Sequence, residues 1–374
     1  MPEPQSPSDR YRLSSLIRMD TVPRLAAIGA VIALLSGGFA YVGGWLSPHR
    51  LTPGRMIDGF EQVGGVHPGF RRNHAKGVCV AGWFDSSGQG AALSKAVVFR
   101  PGRSPVVGRF SLAGPVPALA DSPKAVRSLA LSFRPPGGGE WRTGMVDLPV
   151  FPVGDPQAFY DQLLAGRPDP ATGKPDPTRM KAFLATHPGA ALALQRIVAK
   201  PVSSGFADTR YNGLNAFRFV SAAGVSTPVR WSMVAVQPSA PPPPALAQAR
   251  DKTYLFDALI DRLRQAPLQW RLMATIGQPG DPTHDASLPW PGDRRQIDLG
   301  VLTIDHIETE APGNCRDINF DPLVLPDGIA PSDDPLLSTR SAAYSQSFTR
   351  RAGETKPPSP VQVGAAPAQT GKGA

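Results

Sequence analysis

The longest regular pattern in the chain is an uninterrupted apolar run near its start. From Leu25 to Leu46 the 22 residues LAAIGAVIALLSGGFAYVGGWL carry no charge, and about 20 residues suffice for a helix to cross a hydrocarbon core. Arg10, Arg12, Arg18 and Arg24 precede the run, and Tyr41 and Trp45 lie near its far end. Basic residues stay in the cytoplasm and interfacial aromatics anchor the opposite side. The pattern therefore predicts a single-pass membrane anchor at 25–46, a cytoplasmic tail at 1–24, and the remainder on the periplasmic or extracellular side. A cleaved signal peptide is the competing reading. Its apolar region is shorter, about 7–15 residues, and ends in a small-residue cleavage site that does not follow Trp45.

Past the anchor the pattern changes. Residues 47–65 read as a linker into one globular domain spanning 47–352. Short β-type runs separated by turns follow: VCVAGWF (78–84), AVVF (96–99), VVGRFSL (106–112) and RSLALSF (127–133), with a short strand possible at Pro149–Val153. Their spacing and the Gly/Pro clusters between them predict an antiparallel sheet or barrel. Helical patterns follow from Pro156, a tolerated first-turn position, and around 178–186 and 189–199. Strands return at 215–220 and 228–236, a helix at 253–265, and strands near 268–276 and 297–307. Pro241–Pro244 reads as a stiff polyproline spacer. The last element is a helix from about Ser338 to Arg350. The tail at 353–374 is rich in Pro, Ala, Gly, Gln and Lys, with nothing to bury, and is expected to be disordered. The fold class is thus α+β: an antiparallel β-barrel core with surrounding helices, behind one N-terminal transmembrane helix.

Composition narrows the classes. The 374 residues hold 43 prolines and 38 glycines, which suits a fold with many turns and irregular connections. The net charge of +9 comes from no dense basic run or patterned helix, so a solvated basic surface or attraction to anionic lipid heads is expected, and no nucleic acid. Cys79 and Cys315 are the only cysteines. Without a CxxC or Cys/His cluster, structural zinc and c-type haem attachment are disfavoured. Whether the two cysteines pair is open.

Three segments carry candidate chemistry. The first is Arg71-Arg72-Asn73-His74-Ala75-Lys76-Gly77. A lone histidine at a strand entrance is usually structural, but the string His-Ala-Lys-Gly with an arginine three residues before the histidine resembles the distal motif of haem catalases. The resemblance implies that His74 takes a proton from one peroxide oxygen and returns it to the other, work that suits a group titrating near neutrality. It implies that Arg71 pairs with a haem propionate, since a planar guanidinium matches a carboxylate.

The second is Val107-Gly108-Arg109-Phe110-Ser111. In catalases the arginine here holds a propionate and the serine hydrogen-bonds the distal imidazole. Strand alternation lets Arg109 and Ser111 point inward together. Met145-Val146-Asp147-Leu148-Pro149-Val150-Phe151 follows, leading to Phe159, which falls at the place of a haem-stacking phenylalanine. Large catalases carry two asparagines where this chain has Val146 and Asp147. Valine has no donor and an ionised carboxylate cannot donate, which argues against efficient disproportionation.

The third is the helix around Tyr344. Arg340, Tyr344, Phe348 and Arg351 fall at i, i+4, i+8 and i+11, one stripe on a helix. A cation one turn before a tyrosine favours a phenolate, which in catalases is the axial iron ligand. Arg351 matches a further arginine of that proximal motif. The stretch Cys315–Ile329, then Ser332-Asp333-Asp334-Pro335 leading into the helix, resembles the compact bacterial catalase-related peroxidases. The resemblance spans roughly residues 55–351. It implies haem b as cofactor, and hydrogen peroxide or organic peroxides reduced with an organic electron donor, leaving room for weak catalase activity. The implied site has Tyr344 on the metal, His74 and Ser111 in catalysis, and Arg71, Arg109, Phe159, Arg340 and Arg351 around the cofactor. A haem-binding or haem-free interaction protein that kept the fold is the alternative. The oligomeric state is not legible.

Overall fold

The computed structural model describes residues 21–47, 50–238 and 252–364. Two compact units divide the chain, Met1–Thr52 and Pro53–Ala374. In the first, helix α1 (Val22–Val42) has a mean hydropathy of 2.1 over its most apolar stretch and no buried residue. It is long and apolar enough to cross a membrane. It starts and stops earlier than the apolar run itself. Proline suits the first turn, where its missing N–H has no role, and the helix ends at Gly43 and Gly44, the latter at φ +82°. Arg10, Arg12 and Arg18 lie outside the described residues, as does Pro241–Pro244.

In the second unit, helix α2 (Pro53–Gly64) occupies what reads in sequence as a linker. Met56, Ile57 and Phe60 form its buried stripe. Then come β1 (Gly77–Ser86), β2 (Gly102–Leu112), β3 (Arg127–Phe133) and β4 (Trp141–Val146). Helices α3 (Pro156–Ala165), α4 (Pro177–Thr186) and α5 (Pro188–Val198) follow, each with proline in its first turn. The chain returns through β5 (Tyr211–Asn212), β6 (Phe217–Val220) and β7 (Ser226–Ala235), then α6 (Tyr254–Gln265), β8 (Leu268–Ile276), β9 (Gln296–Glu308), β10 (Ile329–Pro331) and α7 (Pro335–Ala352).

The strands pair antiparallel in the order β7-β5-β4-β3-β2-β1-β9-β8, and a β7–β8 pairing closes the ring. Eight strands thus form a barrel, with β6 and β10 extending outward from β7. Closure removes the exposed edges that an open sheet would present.

One set of alternating residues fills the barrel. Phe84, Phe110, Phe133, Trp141, Tyr211, Trp231 and Trp270 are all buried in the main core. Phe133 stacks on Trp141 at 4.7 Å, and Phe110 meets Tyr211 at 5.9 Å and Trp270 at 5.7 Å. The opposite face of β2–β5 looks outward.

Two expected strands are absent. Val97–Phe99 is a 3₁₀ turn; Phe99 is buried against Trp141 and Phe219 without joining the sheet. Pro149–Val153 is irregular, because Pro149 and Pro152 cannot donate to a ladder. The tail beyond Gly353, expected to find nothing to bury, instead buries Ser359 and Val361 as it runs to Gly364. Cys79 and Cys315 form a disulfide, joining β1 to the segment before α7 and settling the pairing left open by sequence.

Candidate active site

The outward face of β2–β5 forms one wall of a large cavity, about 1280 Å³ counted to its open mouth. Arg109, Ser111, Ser128, Ala130, Gly144 and Val146 line it from the strands. Phe60 comes from α2, Phe159 from α3, and Arg340, Tyr344, Phe348 and Arg351 from α7. Arg109 and Ser111 do point the same way, as strand alternation requires, but away from the barrel interior.

His74 stands just before β1 with its backbone at φ +56°, the only described residue other than glycine with positive φ. A left-handed histidine is uncommon and needs its surroundings to hold it. Asn73 does so: its Oδ1 accepts the N–H of His74 and that of Gly114, both at 2.9 Å. Ala75 N–H donates to Gly114 O at 3.0 Å on the far side of the turn. The Ser111 hydroxyl is 3.5 Å from His74 Nδ1, at the outer limit of a hydrogen bond. Burial, with the positive charges of Arg109, Arg340 and Arg71, pushes the imidazole down to about 3. It is therefore neutral at ordinary pH and able to accept a proton.

Gly77 completes the local logic. A Cβ there would lie 2.5 Å from the Arg109 guanidinium carbon, so only glycine lets that side chain cross the strand. Arg109 is buried and makes a two-pronged pair with Glu310, Nε to Oε1 and Nη2 to Oε2, both 2.9 Å. Burial opposes ionisation of Glu310, but Arg109 and, more distantly, Arg71 and Arg351 outweigh it and lower its pKa. Glu310, in the turn just past β9, was not singled out in the sequence. No local signal marks it.

Arg71 donates through Nη2 to the carbonyls of Cys315, Arg316 and Ile318 at 3.0–3.2 Å. Its Nε forms an ion pair with Glu310 Oε1 at 3.6 Å, beyond hydrogen-bond distance, and Nη2 of Arg351 is buried with no hydrogen-bond partner. Burial, then Arg109 and Arg351, pull the Arg71 guanidinium down to about 9. On α7, Arg340 hydrogen-bonds Asn215 Oδ1, whose amide donates to Asp334 Oδ2 at 2.8 Å. Asp334 also caps α7 through the Leu336 N–H at 2.9 Å. The helix start and the arginine beside Tyr344 are thus one network. A Cβ on Gly144 would lie 3.3 Å from Tyr344 Oη and 3.5 Å from Arg340 Nη2, so this strand position leaves room for both side chains. Phe159 packs against Phe60 and Phe151 at 6.1 and 5.2 Å.

The eight residues that make up the implied site therefore all reach this one cavity. Asp147, its neighbour in sequence to the lining Val146, does not line it. Asp147 accepts the Arg127 N–H at 3.0 Å and pairs with Lys200 at 2.6 Å. Asn212, Asn215 and Asn319, none singled out from sequence, line the cavity together with Asn73. Asn212 sits directly across the ladder from Val146, but its amide donates to Leu148 O at 2.9 Å.

An eight-stranded antiparallel barrel backing a cavity lined by histidine, arginines and a helical tyrosine defines the class. The chain belongs to the catalase family, whose model, described as Catalase, matches residues 69–370. Within that family it resembles the compact members. A catalase-related peroxidase of Synechococcus elongatus is 37% identical over 327 residues, covering 87% of this chain and 94% of its own length. One from Mycolicibacterium paratuberculosis is 33% identical, covering 81% of this chain and 96% of its own. The protein is an oxidoreductase acting on peroxide. Among solved structures, a bacterial catalase shares the fold with a TM-score of 0.68 at 20% identity, and this chain spans 58% of its length.

Proposed function

We propose that the protein is a haem b peroxidase that reduces hydrogen peroxide, or an organic peroxide, with an organic electron donor. The observation that carries this is the convergence of His74, from the turn before β1, and Tyr344, from α7, on one cavity that Arg71, Arg109, Arg340 and Arg351 also line. Among the described residues no cluster of three His, Cys, Asp or Glu side chains could hold a bare metal ion. Iron carried in a macrocycle asks fewer ligands of the protein than a bare ion does, and Tyr344 would hold it. Arg71 and Arg351 would pair with the macrocycle's carboxylates, and Phe159 would offer it a ring face. When bound, haem supplies the two electrons that cleave the peroxide O–O bond.

The remaining steps belong to the chain. His74 removes the proton from the near peroxide oxygen and delivers it to the far one, which leaves as water. Ser111 orients the ring through Nδ1, and Asn73 fixes the backbone beneath it. The organic donor then gives up two electrons and two protons, so hydrogen peroxide plus reduced donor becomes two waters plus oxidised donor. Val146 offers no donor on this wall, and the amide of Asn212 across the ladder from it donates to Leu148 O, which disfavours a second peroxide as reductant at that place. On purified, haem-loaded protein, donor oxidation should exceed oxygen release in steady state. Rapid oxygen release with no donor oxidation would reassign it as a small true catalase.

We further infer that α1 is an uncleaved anchor with the catalytic unit outside the cytoplasm, the side on which the Cys79–Cys315 disulfide would persist. A C-terminal alkaline phosphatase fusion should be active, and full-length protein should stay in membranes through a high-salt wash. An inactive fusion, or release by salt, would count against the anchor.

A further inference from the structure

The turn that carries His74 brings an amide into the main cavity as well. Asn73, its neighbour in the chain, lines that cavity with it. The Asn73 oxygen is fully used, because Oδ1 accepts the N–H groups of His74 and Gly114 at 2.9 Å each. Only an acceptor can face two N–H groups, so these bonds fix which end of the amide is nitrogen. Gly114 does not line the cavity, so the oxygen end is turned to the backbone. The Nδ2 group is left over, with two protons and no acceptor among the described residues.

The other polar groups on the strand wall are committed. Ser111 Oγ faces His74 Nδ1 at 3.5 Å, and Ser128 Oγ donates to Met145 O at 2.9 Å. Arg109 grips Glu310 and reaches the Ala75 carbonyl. Asn212 gives a proton to Leu148 O. Thr339 and Ser347 stand on α7 with Tyr344, Asn215 is bound to Arg340 on the same helix, and Asn319 adjoins Phe320, which packs in one cluster with Tyr344. These four belong to the facing wall. Among the described residues on the side of His74, Asn73 is the one amide with both protons to give.

We propose that Asn73 is a catalytic residue whose Nδ2 donates a hydrogen bond to the peroxide, on the oxygen that gathers negative charge as the O–O bond breaks. The proposal rests on the reading of the cavity as a peroxide-reducing haem site. His74 is neutral at ordinary pH, so the ring nitrogen that accepts the peroxide proton has none to offer until it has taken one. A fixed amide beside it supplies a donor from the start. A donor already held in place needs no reorganisation when charge develops, and the two backbone bonds to Oδ1 hold this one.

Two variants of the loaded full-length protein test this. Asn73→Asp keeps an oxygen for both backbone N–H groups and replaces the donor with a second acceptor. Asn73→Ser is uncharged and can accept the same two groups, but its hydroxyl ends one atom short of the amide nitrogen. Both should keep haem and react with peroxide on the order of 10-fold more slowly, the usual worth of one hydrogen bond to a charged group. Fluoride gives a readout apart from turnover: it binds ferric haem as an anion that accepts hydrogen bonds. At fixed pH its dissociation constant should rise on the order of 10-fold in both variants. A residue that only holds the turn would leave Asn73→Asp at the wild-type rate and fluoride affinity, and that result overturns the proposal. Loss in Asn73→Asp alone, with Asn73→Ser at wild-type values, would assign the effect to the added charge and overturn it too. Either result leaves the haem reading intact. Absence of a Soret band from reconstituted wild-type protein would remove that reading, and the proposal with it.

Discussion

A Tyr344→Phe protein should come through purification nearly free of haem. Tyr344 is the only described side chain on α7 that reaches the cavity with an oxygen able to bind iron as an anion, and the Arg340–Asn215–Asp334 network holds its neighbour in place. Loss of mere outer-shell partners lowers metal affinity on the order of 10–100-fold; loss of the ligand itself should exceed that. The ring of phenylalanine fills the same space, so the fold should survive, with unchanged far-ultraviolet circular dichroism. Full haem retention with an unaltered resonance Raman spectrum would remove Tyr344 from the iron.

His74→Ala should retain haem and slow the reaction with peroxide by on the order of 10²-fold or more, read by stopped-flow on the loaded protein. The pH profile gives a sharper signature. A histidine with the ordinary value of about 6.5 would be largely protonated by about pH 5, and its rate would fall across that interval. Burial is the largest cause of the downward shift at His74, and it persists even when carboxylates neutralise the arginines. The wild-type rate should therefore stay level from about pH 7 to about pH 5. A rate that halves near pH 6.5 would show that the imidazole is not so placed. The same shift carries a stability consequence. The unfolded chain binds a proton at His74 below about 6.5 while the folded chain does not until about 3. This residue therefore stabilises the fold above the upper value and less as pH falls between the two.

Much of this was legible from residue patterns, for identifiable reasons. The strand at 127–133 and that at 268–276 have the predicted bounds, because long apolar runs bounded by turn residues leave few alternatives. The helix around Tyr344 was visible from its stripe. The two-residue β5 was not, because its role is set by neighbours across the sheet rather than by its own sequence. The strand β4 was missed although it lines the cavity; Gly144 interrupts its pattern where Tyr344 and Arg340 come close. The stripe Met56-Ile57-Phe60 was present in the supposed linker and marks α2. Glu310 was illegible for a different reason: a single carboxylate acquires meaning only from distant arginines. Asp147 shows the converse. The resemblance to large catalases placed it at the cavity, and its ion pairs with Arg127 and Lys200 take it out.

The aromatic filling of the barrel has a consequence for how such a cavity can change. Rings packed at crystal-like density scarcely compress, so the wall carrying Arg109, Ser111 and Val146 behaves as a backing plate. Any widening or narrowing of access must come from the facing helices, α2, α3 and α7, whose side chains Met56, Phe60, Phe159 and Phe348 line the opposite side. The reactive geometry and the size of molecule admitted are thereby assigned to different parts of the chain. The size of molecule admitted can drift through helix substitutions while the strand wall stays as it is.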